Sequence, residues 1–379
     1  MVYVGPLGEN SRELITYFED MPDTVHIRPG YNPATWMLEV IGAGVGSNSD
    51  VDYAQVFATS ERRKALMEQL TIEGVASPSP DYPELIFEGK RASSAQEQAK
   101  QLLLRFSRLY WRTPAYNMTR MFLQIFLGVL FGTVCYDTDY TTFQGINSGL
   151  GMVFVSAVFI GVAALNSVLP VAVQERAAYY RERSAETYNA YLYSAAFALI
   201  EIPYTVVAAF FFNIIFFPLV GFTGVDTFIW YWFVSSLLVL NQIYFGQLLA
   251  FALPSVEVAS LAAALMTTIQ FLFMGFNPPE SQIPSGYTWL YYLSTPRYAF
   301  AALAASVFGE CSDGTELGCS IITDTPPTMG ATTMKQYAIA NFNIDVDDAT
   351  SQVGALVGFL VLFHILSFLS LRYINHQKH

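Results

Sequence analysis

The chain has 379 residues, 53% of them hydrophobic and 15% aromatic, and only 13% are charged, about half the charge density of an ordinary soluble domain. Its formal charge of -12 is concentrated in two places. Residues 1–100 hold fifteen acids against eight bases, and residues 277–350 hold eight against two. No basic patch results, so no nucleic-acid partner is expected.

The first hundred residues differ in kind from the rest. Met1-Val2-Tyr3-Val4-Gly5-Pro6 has neither a basic start nor a long apolar core, and so does not read as a secretory signal. Gly42-Ala43-Gly44-Val45-Gly46-Ser47 and Ser77-Pro78-Ser79-Pro80 read as linkers. Residues 1–45 look like the end of a domain and 46–95 like a cytoplasmic linker. Over 96–116 the spacing predicts an amphipathic helix. Leu102, Leu103, Phe106, Leu109 and Tyr110 oppose Lys100, Arg105, Arg108 and Arg112, a pattern that suits a membrane interface, or packing on protein.

Six apolar runs follow, each near the twenty or so residues a bilayer core requires: 118–136, 150–172, about 191–220, 228–252, 256–276 and 351–371. A seventh stretch, 287–308, is broken by Ser294-Thr295-Pro296-Arg297. An arginine at mid-span is costly, so this stretch is expected to be a re-entrant or interfacial hairpin rather than a span. Basic residues lie before or at the start of the first run (Lys100, Arg105, Arg108, Arg112, Arg120), separate the second from the third (Arg176, Arg181, Arg183) and end the chain (Arg372, Lys378). By the positive-inside rule both termini are cytoplasmic and 277–350 is extracellular, which agrees with six spans over 117–375. Cys311 and Cys319 share that polar region and can pair if it faces an oxidising compartment, whereas Cys135 lies in an apolar run.

No catalytic constellation emerges. His26, His364, His376 and His379 are scattered without metal-ligand spacing, and no Gly-x-x-x-x-Gly-Lys-Ser/Thr loop cradles a phosphate. Asn117-Met118-Thr119 matches a glycosylation acceptor but falls on the cytoplasmic side. Gly128-x-x-x-Gly132 and Gly145-x-x-x-Gly149 permit close helix approach, within one bundle or between two. The cluster Gln174-Glu175-Arg176-Ala177-Ala178-Tyr179-Tyr180-Arg181-Glu182-Arg183 has the alternating charge of a docking helix, and equally of a solvated loop. Glu201, beside Pro203 in the third run, needs a partner, expected among these arginines or on the helix at 96–112.

Particular words of the sequence carry more. Val4-Gly5-Pro6-Leu7-Gly8, then Gly30-Tyr31-Asn32-Pro33-Ala34-Thr35-Trp36-Met37-Leu38-Glu39-Val40, then Tyr110-Trp111-Arg112-Thr113-Pro114, Glu175-Arg176, Tyr180-Arg181-Glu182-Arg183 and Glu201-Ile202-Pro203-Tyr204 follow one another in order. This series resembles the second half of full-size G-type ATP-binding cassette (ABC) transporters of the pleiotropic drug resistance group. The resemblance implies a mainly α fold. A polytopic six-helix ABC-2 type transmembrane domain would follow the C-terminal remnant of an α/β nucleotide-binding domain. It implies a phosphate-binding apparatus upstream of Met1, and hence a fragment, a truncated reading or a half-product. ATP and Mg²⁺ would belong to the intact parent, with no cofactor in this chain.

The implied activity is ATP-driven export of amphipathic xenobiotics, toxins, sterols or lipids across the plasma membrane. The implied partners are membrane lipids and the parent's upstream transmembrane and nucleotide-binding domains. In such a family the cavity draws on the second and fifth spans, here Phe154, Phe159, Asn166, Gln270, Phe271 and Phe273. The coupling element falls on Glu175, Arg176, Tyr180, Arg181, Glu182 and Glu201. A membrane subunit that no longer transports is the alternative.

Overall fold

The computed structural model describes the chain except for residues 23, 45–48, 50, 73, 77–90, 92, 137, 312–313, 315, 327–329 and 377–379, and the side chain of residue 115. It divides into two compact units, Met1–Phe87 and Glu88–His379. Both are helical, and the described residues contain isolated β-bridges but no strand.

In the first unit four short helices, α1 (Arg12–Glu19), α2 (Pro33–Val40), α3 (Tyr53–Thr59) and α4 (Glu61–Thr71), surround a small aromatic core. The Asn-Pro-Ala-Thr-Trp word builds the start of α2. Asn32 accepts from the Ala34 N–H at 2.9 Å, Pro33 occupies the first helical position, and the buried Trp36 donates its indole N–H to the Val25 carbonyl at 2.9 Å. Trp36 and Tyr53 meet Phe18 edge-on, with ring centroids 6.3 and 5.8 Å away. Residues 53–71, read as linker, are instead helical. Asp52 and Ser60 cap α3 and α4, and Tyr53 and Phe57, one turn apart, are buried. The Ser77–Pro80 linker lies outside the described residues.

The second unit begins with α5 (Ala95–Arg112), capped by Ser94. Its stripe of Gln98, Leu102, Phe106 and Tyr110 repeats every four residues and is buried, with Phe106 against Tyr193 and Phe197. The helix stops short of the expected 116, because Thr113 leaves helical geometry before Pro114 and a new helix opens there. This is α6 (Pro114–Val134). Asn117 donates its amide to the Tyr110 carbonyl across the break.

Next come α7 (Phe143–Ser184), α8 (Ala190–Leu219), α9 (Val225–Ala252) and α10 (Val256–Leu272). α7 is a single 42-residue helix, about 63 Å long. It therefore outruns a bilayer core about twofold. The expected second span, 150–172, is only its middle. The cluster at 175–183 is its last turns, neither a loop nor a separate short helix. Among the described residues five helices are long and apolar enough to cross a membrane, and α10, at 17 residues, is a shorter apolar one.

The broken stretch forms α11 (Thr288–Leu293) and α12 (Thr295–Ala304), neither long enough to span. The residues at the break, Ser294, Thr295 and Arg297, are buried. The Arg297 guanidinium lies 4.1 Å from the Tyr291 ring centre and 4.7 Å from that of Tyr298. α13 (Met334–Phe342) and α14 (Ala349–Tyr373) complete the fold. Cys311 and Cys319 are joined, with Cα atoms 5.0 Å apart.

α9 is the central helix, packed on α7, α8, α12 and α14. α6 lies on α8 with almost no side chain between them. A Cβ on Gly128 would stand 3.0 Å from the Phe212 carbonyl, and one on Gly132 2.7 Å from Leu219. Those glycines serve packing inside one bundle. The Phe143 end of α7 is stitched to the 277–350 region. The Phe143 N–H donates to Thr323 O at 3.0 Å, the Thr323 N–H to Thr141 O at 2.7 Å, and the Tyr337 hydroxyl to Asn147 at 2.8 Å.

Candidate coupling and cavity residues

Glu175 and Glu182 are seven residues apart on α7, two turns, and so share a face. Arg105 of α5 spans both, at 3.2 Å from Glu175 and 2.6 Å from Glu182. Tyr188, in the turn after α7, donates its hydroxyl to Glu182 at 2.6 Å, and the Asn189 N–H donates to the Gln98 amide oxygen of α5 at 3.0 Å. The end of α7, the start of α8 and α5 are thus laced together by charge-assisted contacts to Glu175 and Glu182 and by one neutral amide hydrogen bond.

The arginines of the cluster do different things. Arg176 is 4% exposed and donates to the carbonyls of Ala250 at 2.6 Å and Pro254 at 2.8 Å, and to Leu253, closing the C-terminus of α9. The negative end of the α9 dipole favours a cation there. Arg183 donates to Leu371 O at 3.0 Å, and the Tyr180 hydroxyl to Ile374 O at 3.2 Å, fixing the end of α14 in the same way. Arg181 is exposed.

Deeper in, Glu201 of α8 has no solvent access. One carboxylate oxygen accepts from the hydroxyls of Tyr110 at 2.6 Å and Tyr116 at 2.9 Å, and the other from Arg120 at 3.0 Å. Arg120 also reaches Tyr116 at 3.2 Å and Thr205 at 3.1 Å. Burial, together with the Glu201 charge, pushes the Tyr110 hydroxyl well above the ordinary tyrosine range, so it remains a donor. The partner sought for Glu201 is therefore not Arg176, Arg181 or Arg183. Tyr110 does lie on the 96–112 helix, and the countercharge comes from Arg120, which sequence reasoning used only to orient the chain. The signal was a second charge six residues inside an apolar helix.

The six cavity residues are divided. Phe154 stacks on Phe276 at 5.0 Å and meets Phe300 edge-on. Gln270 accepts from the Gln242 amide at 3.1 Å, and its backbone carbonyl accepts from Ser294. Phe271 packs on the core, and Phe273 stacks with Tyr287 at 6.2 Å. Phe159, 49% exposed, and Asn166, one face of α7, point outward. Asn166 donates only to its own helix, at Val162 O. Among the described residues no group of His, Cys, Asp or Glu is arranged to hold a metal ion.

Residues 97–308 match the ABC-2 type transporter family. The chain belongs to that family. Its relatives are named in keeping with this membership. ABC transporter G family member 36 from Oryza sativa subsp. indica is 34% identical over 326 residues, covering 84% of this chain and 22% of that protein. Pleiotropic drug resistance protein 1 from Nicotiana tabacum is 35% identical over 315 residues, covering 82% of this chain and 22% of that one. ABC transporter G family member 49 from Oryza sativa subsp. japonica is 32% identical over 383 residues, all of this chain and 25% of the relative. The chain spans about a quarter of the length of the curated relatives it matches. It is an integral, multi-pass membrane domain of the G-type, pleiotropic drug resistance kind.

Proposed function

We propose that this chain is the second transmembrane domain of an ATP-driven exporter that moves amphipathic compounds (xenobiotics, toxins, sterols or lipids) across the plasma membrane by alternating access. ATP, Mg²⁺ and the upstream transmembrane and nucleotide-binding domains belong to the intact parent. Both termini are cytoplasmic in this reading, and 277–350 is outside. The outward pair Phe159 and Asn166 on α7 faces the companion transmembrane domain across the substrate path. Phe154, Gln270, Phe271 and Phe273 shape the wall behind it.

The observation that carries this reading is the junction of α5, α7 and α8. A rigid 42-residue helix ends in a charged segment bolted to its neighbours by Arg105, Glu175 and Glu182. Force applied there reaches the helices directly. Arg176 and Tyr180 carry it to α9 and α14, Glu201 to α5 and α6, and the exposed Arg181 meets the nucleotide-binding domain. Lipid headgroups around the same residues complete the setting.

The test uses the intact transporter. Arg105→Glu is expected to retain membrane insertion and ATP binding while lowering transport per ATP about tenfold, with partial recovery when Glu182→Arg is added. Unchanged transport per ATP in Arg105→Glu, or no recovery in the double variant, overturns the coupling assignment.

A further inference from the structure

Between α6 and α7 lies a cleft of about 300 Å³ with an apolar floor of Leu123, Ala163, Pro170 and Val171. Its polar lining is Thr113, Tyr116, Thr119, Arg120 and Gln124 on the α6 side and Ser167 on α7. Gln124 is 1% exposed, and neither its amide nitrogen nor its amide oxygen has a hydrogen-bond partner among the described residues. The Arg120 Nε is likewise without one. Gln124 stands about 15 Å along α6 from Pro114, near the middle of a bilayer core. No bulk water is available there to satisfy an amide. A glutamine with both ends vacant at that depth points to a ligand that fills them.

The chemistry of that ligand follows from the cleft. The terminal nitrogens of Arg120 are already taken by Glu201, Tyr116 and Thr205, so its charge is neutralised and the cleft does not call for an anion. The buried atoms left unpaired are two donor nitrogens, Gln124 Nε2 and Arg120 Nε, and one acceptor, the Gln124 oxygen, above an apolar floor. A hydroxyl accepts from a donor and gives its proton to the Gln124 oxygen. An ether or ester lacks the proton, and an amine would bring an uncompensated charge.

We propose that this cleft binds the hydroxyl end of a neutral amphiphile, with Gln124 as the anchoring residue and the apolar body lying along α7. The cleft lies on the α6 side of the α7 face that carries Phe159 and Asn166, since Ala163 and Pro170 each follow them by one turn. The proposal deepens the exporter reading there, and the coupling assignment is tested apart from it by transport per ATP in the Arg105 variants.

The experiment uses the 379-residue chain reconstituted in phosphatidylcholine nanodiscs and four diazirine photoprobes. These are a sterol with a free hydroxyl, a monoacylglycerol, the methyl ether of the same sterol and a fatty acid. At least one hydroxyl probe is expected to label residues 116–124 or 163–171, and the preference between the two identifies the source of the hydroxyl. The methyl ether and the fatty acid are expected to label those residues at background. Gln124→Leu should lower labelling by the hydroxyl probe about tenfold, the loss of one well-made hydrogen bond. Because leucine removes an unsatisfied amide, the variant should melt at or above the temperature of the parent. Ala163→Phe, which fills the cleft from α7, should abolish labelling independently. Equal labelling of the parent and Gln124→Leu, equal labelling by alcohol and ether, no labelling by either hydroxyl probe, or a lower melting temperature in Gln124→Leu each overturns the site.

Discussion

Glu201 shows how a single residue can depend on partners from separate helices. A carboxylate with no solvent access is tolerated because Arg120, Tyr110 and Tyr116 converge on it. Removing one member of such a pair strands the other charge, which costs about 3–5 kcal/mol, whereas replacing both with apolar groups is often near neutral. Arg120→Leu is therefore expected to lower the thermal midpoint of the detergent-solubilised chain sharply, and Arg120→Leu with Glu201→Leu to recover most of the loss. A double variant no better than the single one would refute this. Tyr110→Phe, which deletes one donor to the carboxylate, should cost about 1–3 kcal/mol. The need of Glu201 for a partner was legible from its apolar surroundings. Arg120 was not, because it was counted among the flanking bases. The run at 118–136 already contains it, and the structure sets it level with Glu201. Arg176 was read from its charge as a polar contact of the coupling element; its partners within the chain are backbone carbonyls, which leave no trace in a sequence.

Among the elements, α7 and the α6–α8 pair carry the most consequence. The run at 150–172 marked where α7 is apolar, but hydropathy reports solvent and not helix ends. The flanks 143–149 and 173–184 contain no glycine–proline break, so the helix continues through both. Placing a proline at the exposed Ala177 removes a ladder hydrogen bond and clashes with the preceding turn, at a cost of about 3 kcal/mol or more. Ala177→Pro should raise tryptic cleavage after Arg181 and Arg183 about tenfold relative to Ala177→Ser. Equal cleavage of the two would show that these turns are not held as helix. The glycine spacing in α6 was readable as a site of close approach, and the structure supplies α8 as the neighbour. Gly132→Leu drives a side chain into Leu219 and should cost about 1–3 kcal/mol or more, read as a lower melting temperature than that of Val134→Leu on the exposed side of the same helix.

For the molecule as a whole, the ordered series of sequence words gave the family, and periodicity gave most of the helices. What stayed hidden was long-range: the packing of Tyr53 and Phe57 into the first unit, which depends on residues distant in the chain. The burial of the Thr295–Arg297 break, by contrast, follows from the cost of an arginine at mid-span. Cysteine chemistry offers a global check. Cys311 and Cys319 are bonded, while Cys135 is free and buried. Maleimide under non-reducing, native conditions should therefore label none of the three, and unfolding without reductant should expose Cys135 alone. Closing a loop of that length contributes about 2–3 kcal/mol, so Cys311→Ser with Cys319→Ser should be measurably less heat-stable. Purified alone, the chain should show no saturable ATP turnover, because it has no phosphate-cradling loop.

The continuity of α7 has a mechanical meaning. One end is bolted to α5, α9 and α14 through side chains, and the other is sewn by main-chain hydrogen bonds to the segment that carries the disulfide. Between them runs a single pushrod with no joint except the missing amide at Pro170. A tilt of such a rod at Ser184 must appear at Phe143 with opposite sense, about 63 Å away. In the proposed exporter the outer end then needs no signal of its own, since it is the other arm of the same lever.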